Sequence, residues 1–196
     1  MNKLEVNPIV KALIFDCDGT LVDSMPLHMK AWEHALERFN LTFDYEFFFS
    51  RKGMSELEII NEYLLKVDSD INGSDVVKEK HSYFRNHLND VKPITEVVDI
   101  VLENKNKLPM AVVSGGTREN VIESIKVIGI ENYFKVIITS DDKLKPKPAP
   151  DKFYEAAKIM KVDPIYCQVF EDGDPGITAA KSAGMFVTDV REFLQD

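Results

Sequence analysis

The stretch Ala12-Leu13-Ile14-Phe15-Asp16-Cys17-Asp18-Gly19-Thr20 carries the most information in the chain. Its first four residues are apolar without interruption, the texture of a short strand buried on both faces. Two carboxylates, Asp16 and Asp18, follow directly. Like charges held that close repel, so they need a cation between them or a proton on one of them. Gly19 then lets the backbone turn sharply. The pattern suits covalent phosphoryl chemistry, in which one Asp attacks phosphorus and the other moves protons. An Asp-Gly turn is also ordinary loop chemistry, so support has to come from the rest of the chain.

Beyond the motif the period changes. Leu27, Ala31, Ala35 and Phe39 recur at helical spacing behind Pro26, a residue suited to a first helical turn. Leu57, Ile60 and Leu64 repeat the pattern, as do Val77, His81, Phe84 and Leu88. Residues 24–91 therefore read as mostly helical, with the aromatic residues Tyr45 and Phe47 to Phe49 between the first two helices. After Pro93 the texture alternates. A helix (Ile94, Val97, Val98, Val101, Leu102) precedes a strand at 110–113. A helix (Val121, Ile122, Ile125, Ile128) precedes a strand at 136–138. A helix (Phe153, Ala156, Ala157, Met160) precedes a strand at 166–170, and a helix at 177–183 precedes a last strand at 185–187. Short apolar runs alternating with helices predict an α/β fold, a Rossmann-like parallel sheet with helices on both faces. Residues 1–23 and 92–196 form its core, and 24–91 are a helical domain inserted after the first strand.

In open α/β sheets, ligands bind outside the carboxyl ends of the strands. Asp16 and Asp18 end the first strand, Ser114-Gly115-Gly116-Thr117 the second, and Glu171-Asp172-Gly173-Asp174 the fourth, so all three groups fall at one edge. Ser114 and the glycines can present a hydroxyl and backbone N–H groups to an anion, although Ser114 or Thr117 also makes a plain helix N-cap. Lys147 lies in Leu144-Lys145-Pro146-Lys147-Pro148-Ala149-Pro150-Asp151, where three prolines stiffen the backbone. A lysine held there can meet a phosphate or balance carboxylates; it can equally be a solvated loop residue, the reading given to Lys143, Lys145 and Lys152. Glu171 and Asp172 complement a helix dipole, with Asp174 as the capping residue. Together with the first Asp pair they make four acids without a local Arg, which a hard divalent ion, Mg²⁺ above all, would resolve. His28 stands near the start of the insertion, either touching substrate or as an ordinary helix residue. His34, His81 and His87 carry no metal spacing and are read as helix faces.

Bulk properties narrow the classes. The chain has 196 residues, 44% of them hydrophobic and 29% charged, enough for a packed core without disorder. A net charge of −9 argues against nucleic acid or an anionic membrane as a partner. Cys17 and Cys167 each lie in an apolar run and read as buried small hydrophobes, not as a disulfide framework. No signal peptide and no membrane-length apolar run is present, so the cytoplasm is the expected location. A monomer is the expected state, although nothing in the sequence fixes it.

With these pieces placed, the chain resembles the haloacid dehalogenase superfamily of phosphotransferases. The resemblance runs through Asp16-x-Asp18-Gly19-Thr20, Ser114, Lys147-Pro148-Ala149-Pro150-Asp151 and Phe170-Glu171-Asp172…Gly176-Ile177…Ala183-Gly184-Met185. Within the superfamily it is similar to the β-phosphoglucomutase-like group, whose helical cap follows the first strand. Leu21 to Trp32 also resembles that group, and the ending Gly184-Met185…Val187-Thr188-Asp189-Val190-Arg191 is most similar to its bacterial phosphatases acting on fructose 1-phosphate and 6-phosphogluconate. The resemblance implies Asp16 as nucleophile and Asp18 as acid and base. It implies Mg²⁺ held by Asp16, the Asp18 backbone carbonyl, Glu171 and Asp172, and phosphate held by Ser114, Gly115 and Lys147. Asp18 argues against a dehalogenase, which needs no acid/base there. A cis Lys147–Pro148 bond is a further implication. Sugar contacts are expected from His28 and, in the cap loop, from Lys52, Gly53 and Ser55. The substrate is then a small phosphorylated sugar. A mutase of this group grips a second phosphate with a basic residue shortly after a Lys-Gly pair; here that position holds Glu56, which favours hydrolysis of a monophosphate. The alternatives are a β-phosphoglucomutase and, more remotely, a binding domain that kept the fold without activity.

Overall fold

The computed structural model describes residues 3–51 and 54–194. They form two compact units, one of Met1–Asp23 and Lys92–Asp196, the other of Ser24–Val91.

The first unit is built on five parallel strands, β1 (Ala12–Phe15), β4 (Met110–Val113), β5 (Val136–Ile138), β6 (Cys167–Glu171) and β7 (Phe186–Asp189), in the order β5-β4-β1-β6-β7. Two further strands, β2 (Val22–Asp23) and β3 (Lys92–Pro93), form a short antiparallel ladder where the chain leaves this unit and returns. Alternation along each strand feeds two apolar layers. Leu13 and Phe15 of β1 join Met110, Val112 and Phe170 on one face, under α5 (Thr95–Asn104) and α6 (Arg118–Val127). Ala12 and Ile14 join Ala111, Val113, Cys167 and Val169 on the other, under α7 (Asp151–Met160) and α8 (Asp174–Ser182). The Phe15 and Phe170 rings stack with centroids 5.0 Å apart, tying β1 to β6. Both cysteines are buried and free, as their apolar settings predict.

The chain runs outward from β1 through β4 to β5, then crosses back to β6 and β7 on the other side. β1 therefore sits where the strand order reverses, the place where such sheets bind ligands.

The second unit contains α1 (Met25–Arg38), α2 (Tyr45–Phe49), α3 (Glu56–Lys66) and α4 (Gly73–Asn86). Trp32, Leu36, Phe48, Ile60, Tyr63 and Val76 form its core. The aromatic run expected between helices is itself a short helix, α2, started by Asp44, whose side chain accepts from the Phe47 N–H at 3.1 Å. The buried face of α4 is Val76, Lys80 and Phe84, one position off the stripe expected through Val77 and His81. A lysine in the middle of the true stripe hid it. Among the described residues no helix is long and apolar enough to cross a membrane.

Candidate active site

β1, β4 and β6 lie side by side, so the residues that leave their carboxyl ends meet. Asp16 follows β1 and donates its N–H to the Phe170 carbonyl at 3.0 Å, continuing the ladder by one residue. Glu171 is the last residue of β6, with Asp172 next in the chain. Asp16, Glu171 and Asp172 each present a carboxylate oxygen within 4.8 Å of the others. Asp16 and Glu171 are buried, with 7% and 3% of their surface exposed. The Lys147 ammonium donates to Asp16 Oδ1 and to Glu171 Oε2, each at 2.6 Å. The loop that carries Lys147 contains a cis Lys147–Pro148 bond.

Hydrogen bonds and close packing hold the acids in place. Thr20 Oγ1 donates to Asp172 Oδ1 at 3.0 Å, and the Gly173 N–H donates to Glu171 Oε1 at 3.0 Å. Gly19 turns at φ +86°, and a Cβ there would stand 2.7 Å from Asp172 Cγ, so both backbone and space require glycine. Gly176, in the first turn of α8, lies under the Glu171 side chain, where a Cβ would stand 2.7 Å from Glu171 Cγ.

Burial first, then the charge of Glu171, push the Asp16 carboxyl well above the usual carboxylate range, with Lys147 opposing. Against its own burial, Lys147 is held above the ordinary lysine range by Asp16 and Glu171. Two carboxylates thus share one ammonium with a third close by, and burial together with the excess negative charge raises Asp16. The donors are all carboxylate oxygens, the set a hard divalent cation prefers. On charge and on donor chemistry, the cluster fits Mg²⁺.

Asp18 is not part of that triple. A Cβ built on Gly116 would lie 3.4 Å from both Asp18 Oδ2 and Ser114 Oγ, which places the Asp18 carboxylate beside the β4 terminus. Ser114 is buried there; its Oγ accepts from the Gly116 N–H at 3.0 Å. Thr117, not Ser114, caps α6 by accepting from the Asn120 N–H. Gly115 is exposed, with nothing within 4 Å of where a Cβ would be.

Two expectations are corrected. Lys152, read as a surface lysine, is 3% exposed, and its ammonium donates to the Ser114 carbonyl at 3.1 Å. The signal was its place on the same helical face as Ala156, which is buried. Asp174 does not cap α8 through its side chain: it is the first helical residue and pairs with Arg191 at 2.8 Å.

In the helical unit, His28 stacks on Phe84 and its Nδ1 lies 2.9 Å from the Lys80 ammonium. Lys80 is 1% exposed and bonds to Glu56, which also bonds to His81. Against the burial that would raise it, Lys80 and His81 hold the Glu56 carboxyl far below the usual carboxylate range. Ser55 is engaged by the backbone, since with Glu58 it forms the capping box that starts α3. Lys52 and Gly53 lie outside the described residues.

Comparison with known proteins follows the same lines. A family model for haloacid dehalogenase-like hydrolases matches residues 13–190. The chain is 35% identical over 179 residues to the fructose-1-phosphate phosphatase YqaB of Escherichia coli strain K12, covering 91% of this chain and 95% of that protein. It is 29% identical to a beta-phosphoglucomutase of Bacillus subtilis strain 168, covering 92% of this chain and 83% of the other. The crystal structure of beta-phosphoglucomutase from Clostridium difficile superposes with a TM-score of 0.76 at 28% identity, covering 91% of this chain and 83% of that one.

Proposed function

The chain belongs to the haloacid dehalogenase-like hydrolases, and from that membership we propose a phosphatase that hydrolyses a small sugar phosphate, of the fructose 1-phosphate or 6-phosphogluconate kind, through an aspartyl phosphate on Asp16. The gathering of Asp16, Glu171, Asp172 and Lys147 at the carboxyl edge of the sheet carries the reading.

In the first step an Asp16 oxygen bonds to phosphorus as the bond from phosphorus to the sugar oxygen breaks, and Asp18 gives that oxygen its proton. In the second, water attacks the phosphorus of the acyl phosphate, Asp18 takes the proton, and Asp16 is freed with inorganic phosphate. Lys147, Ser114 and the Gly115 N–H hold the phosphoryl oxygens, fixed before the reaction begins. Asp16, Glu171 and Asp172, with the Asp18 backbone carbonyl, are the groups that would hold Mg²⁺, and the ion when bound supplies positive charge for the ionised acids and the phosphoryl oxygens. Sugar contacts are proposed on the helical unit, at His28, Lys52, Gly53 and Ser55, and the cytoplasm is the proposed location.

The relatives include both phosphatases and mutases. Glu56 supports the phosphatase. In the sequence it occupies the position at which a mutase of this group carries a basic residue, and its carboxylate bonds to Lys80. The test is incubation with β-glucose 1-phosphate and a trace of glucose 1,6-bisphosphate, beside a screen of sugar phosphates. Free phosphate is the expected product. Glucose 6-phosphate without free phosphate would establish the mutase, and retained hydrolysis in Asp16→Asn would remove the assigned nucleophile.

A further inference from the structure

We infer that Lys152 is a positioning residue for phosphate binding: by holding the Ser114 carbonyl it fixes the Ser114–Gly115 peptide with the Gly115 N–H turned toward the phosphoryl group. The inference rests on the reading of Ser114, Gly115 and Lys147 as the phosphate-binding groups.

Ser114 is fixed at three points. Its N–H donates to the Ile138 carbonyl at 2.9 Å, its Oγ accepts from the Gly116 N–H at 3.0 Å, and its carbonyl accepts from the Lys152 ammonium at 3.1 Å. A peptide unit is planar and trans, so its C=O and N–H point opposite ways. Holding the Ser114 oxygen on Lys152 therefore turns the Gly115 N–H away from Lys152, at a residue that is itself exposed. Two consecutive glycines restrain this segment little by themselves; the Ser140 N–H holds the Gly116 carbonyl at 2.9 Å, and the peptide before it needs an anchor of its own. Lys152 provides one from the first turn of α7, the helix entered directly from the Lys147 loop. The two phosphate-binding segments are thereby tied to each other.

A lysine is an unfavourable choice for stability here. It is buried, its ammonium makes one hydrogen bond among the described residues, and that acceptor is neutral. It also stands at a helix N-terminus, where the dipole disfavours a cation. Burial, and after it the charge of Lys147, draw it below the ordinary lysine range, with Asp142, Asp16 and Asp141 opposing only in part. An apolar residue beside Ala156 would pack at less cost. The cation makes sense as a device of the site.

The test compares the full chain with Lys152→Met, which keeps length and packing, and Lys152→Arg, which keeps the charge and the donors. Binding of inorganic phosphate in the presence of Mg²⁺ is measured by calorimetry, with kcat and KM for p-nitrophenyl phosphate and the melting temperature alongside. Lys152→Met is expected to melt near the parent, the relieved burial of a cation offsetting the unpaired Ser114 carbonyl, while phosphate affinity falls about tenfold, the scale of one hydrogen bond to a charged ligand. KM should rise in parallel with kcat changed less, and Lys152→Arg should restore binding. A lysine with only a structural role would lower the melting temperature and leave Kd and KM of the folded enzyme alone. A folded Lys152→Met protein with parental Kd and KM overturns the inference. Should that variant fail to fold, Lys152→Leu, which also lacks a donor, carries the same comparison. A parent chain that neither binds phosphate nor hydrolyses the ester overturns the functional reading and this inference with it, an outcome distinct from an active parent matched by its variant.

Discussion

Gly176→Ala sets two effects of opposite sign against each other. Gly176 is the third residue of α8, and alanine is the better helix former by about 1 kcal/mol. On propensity alone the variant should be more stable. The Cβ would stand 2.7 Å from Glu171 Cγ and closer still to the carboxylate, so Glu171 has to move. Overpacking costs about 1–3 kcal/mol. Movement of Glu171 also breaks its 2.6 Å contact with Lys147, and breaking a buried ion pair costs roughly 3–5 kcal/mol when complete. Partial relief of each leaves a net loss of about 2–4 kcal/mol. For a chain of this size that lowers the melting temperature by roughly 5–15 °C. Thermal denaturation followed by circular dichroism, with phosphatase activity measured in parallel, reads both consequences. The decisive control is the same substitution in a Glu171→Ala background, where the clash is gone and Gly176→Ala should stabilise. A single Gly176→Ala variant more stable than its parent would refute the reasoning, as would an equal effect in both backgrounds.

Three further outcomes are expected. Asp16→Asn in EDTA should melt above the parent: it removes the repulsions from Glu171 and Asp172 and the burial of a third carboxylate at the loss of one attraction to Lys147. Mg²⁺ should then raise the melting temperature of the parent more than that of the variant, and a variant clearly less stable than its parent in EDTA would count against the charge account. Glu56 has a depressed folded-state pKa, so its stabilising contribution is present above the ordinary carboxylate pKa and is lost as pH falls below that range; Glu56→Gln should flatten the acid limb of the stability profile, and an unchanged limb would contradict the assignment. Lys80→Met, which leaves Glu56 without its buried partner, should destabilise more than Lys80→Met combined with Glu56→Met in denaturant titrations.

The five-stranded sheet was readable because a parallel strand covered on both faces is apolar at every position, as at Ala12–Phe15 and Met110–Val113. The start of α8 was not, because Pro175 and Gly176 discourage a helix in its interior yet are tolerated in its first turn. The ladder of Val22–Asp23 with Lys92–Pro93 joins segments too short and too distant in sequence to carry a local signal. At the site, Asp16, Asp18, Ser114 and Glu171 stood out because each ends an apolar run and must leave the sheet at one edge. Lys152 and Lys80 did not, since a long aliphatic stem lets a lysine occupy an apolar stripe while its ammonium reaches a partner on another element: Ser114 in one case, Glu56 in the other. Such partners become visible only when the elements are packed. Gly176 entered as a motif residue, but the reason for a glycine there, a Glu171 side chain folded over it, became visible only in the structure.

The covalent intermediate is the most direct test. A rapid acid quench during turnover of a sugar phosphate, followed by peptide mass spectrometry, should find one phosphoryl group on the peptide containing Asp16 and none in Asp16→Asn. Phosphate release with no phosphorylated chain at any quench time, or a phosphoryl group on a different residue, would contradict the account.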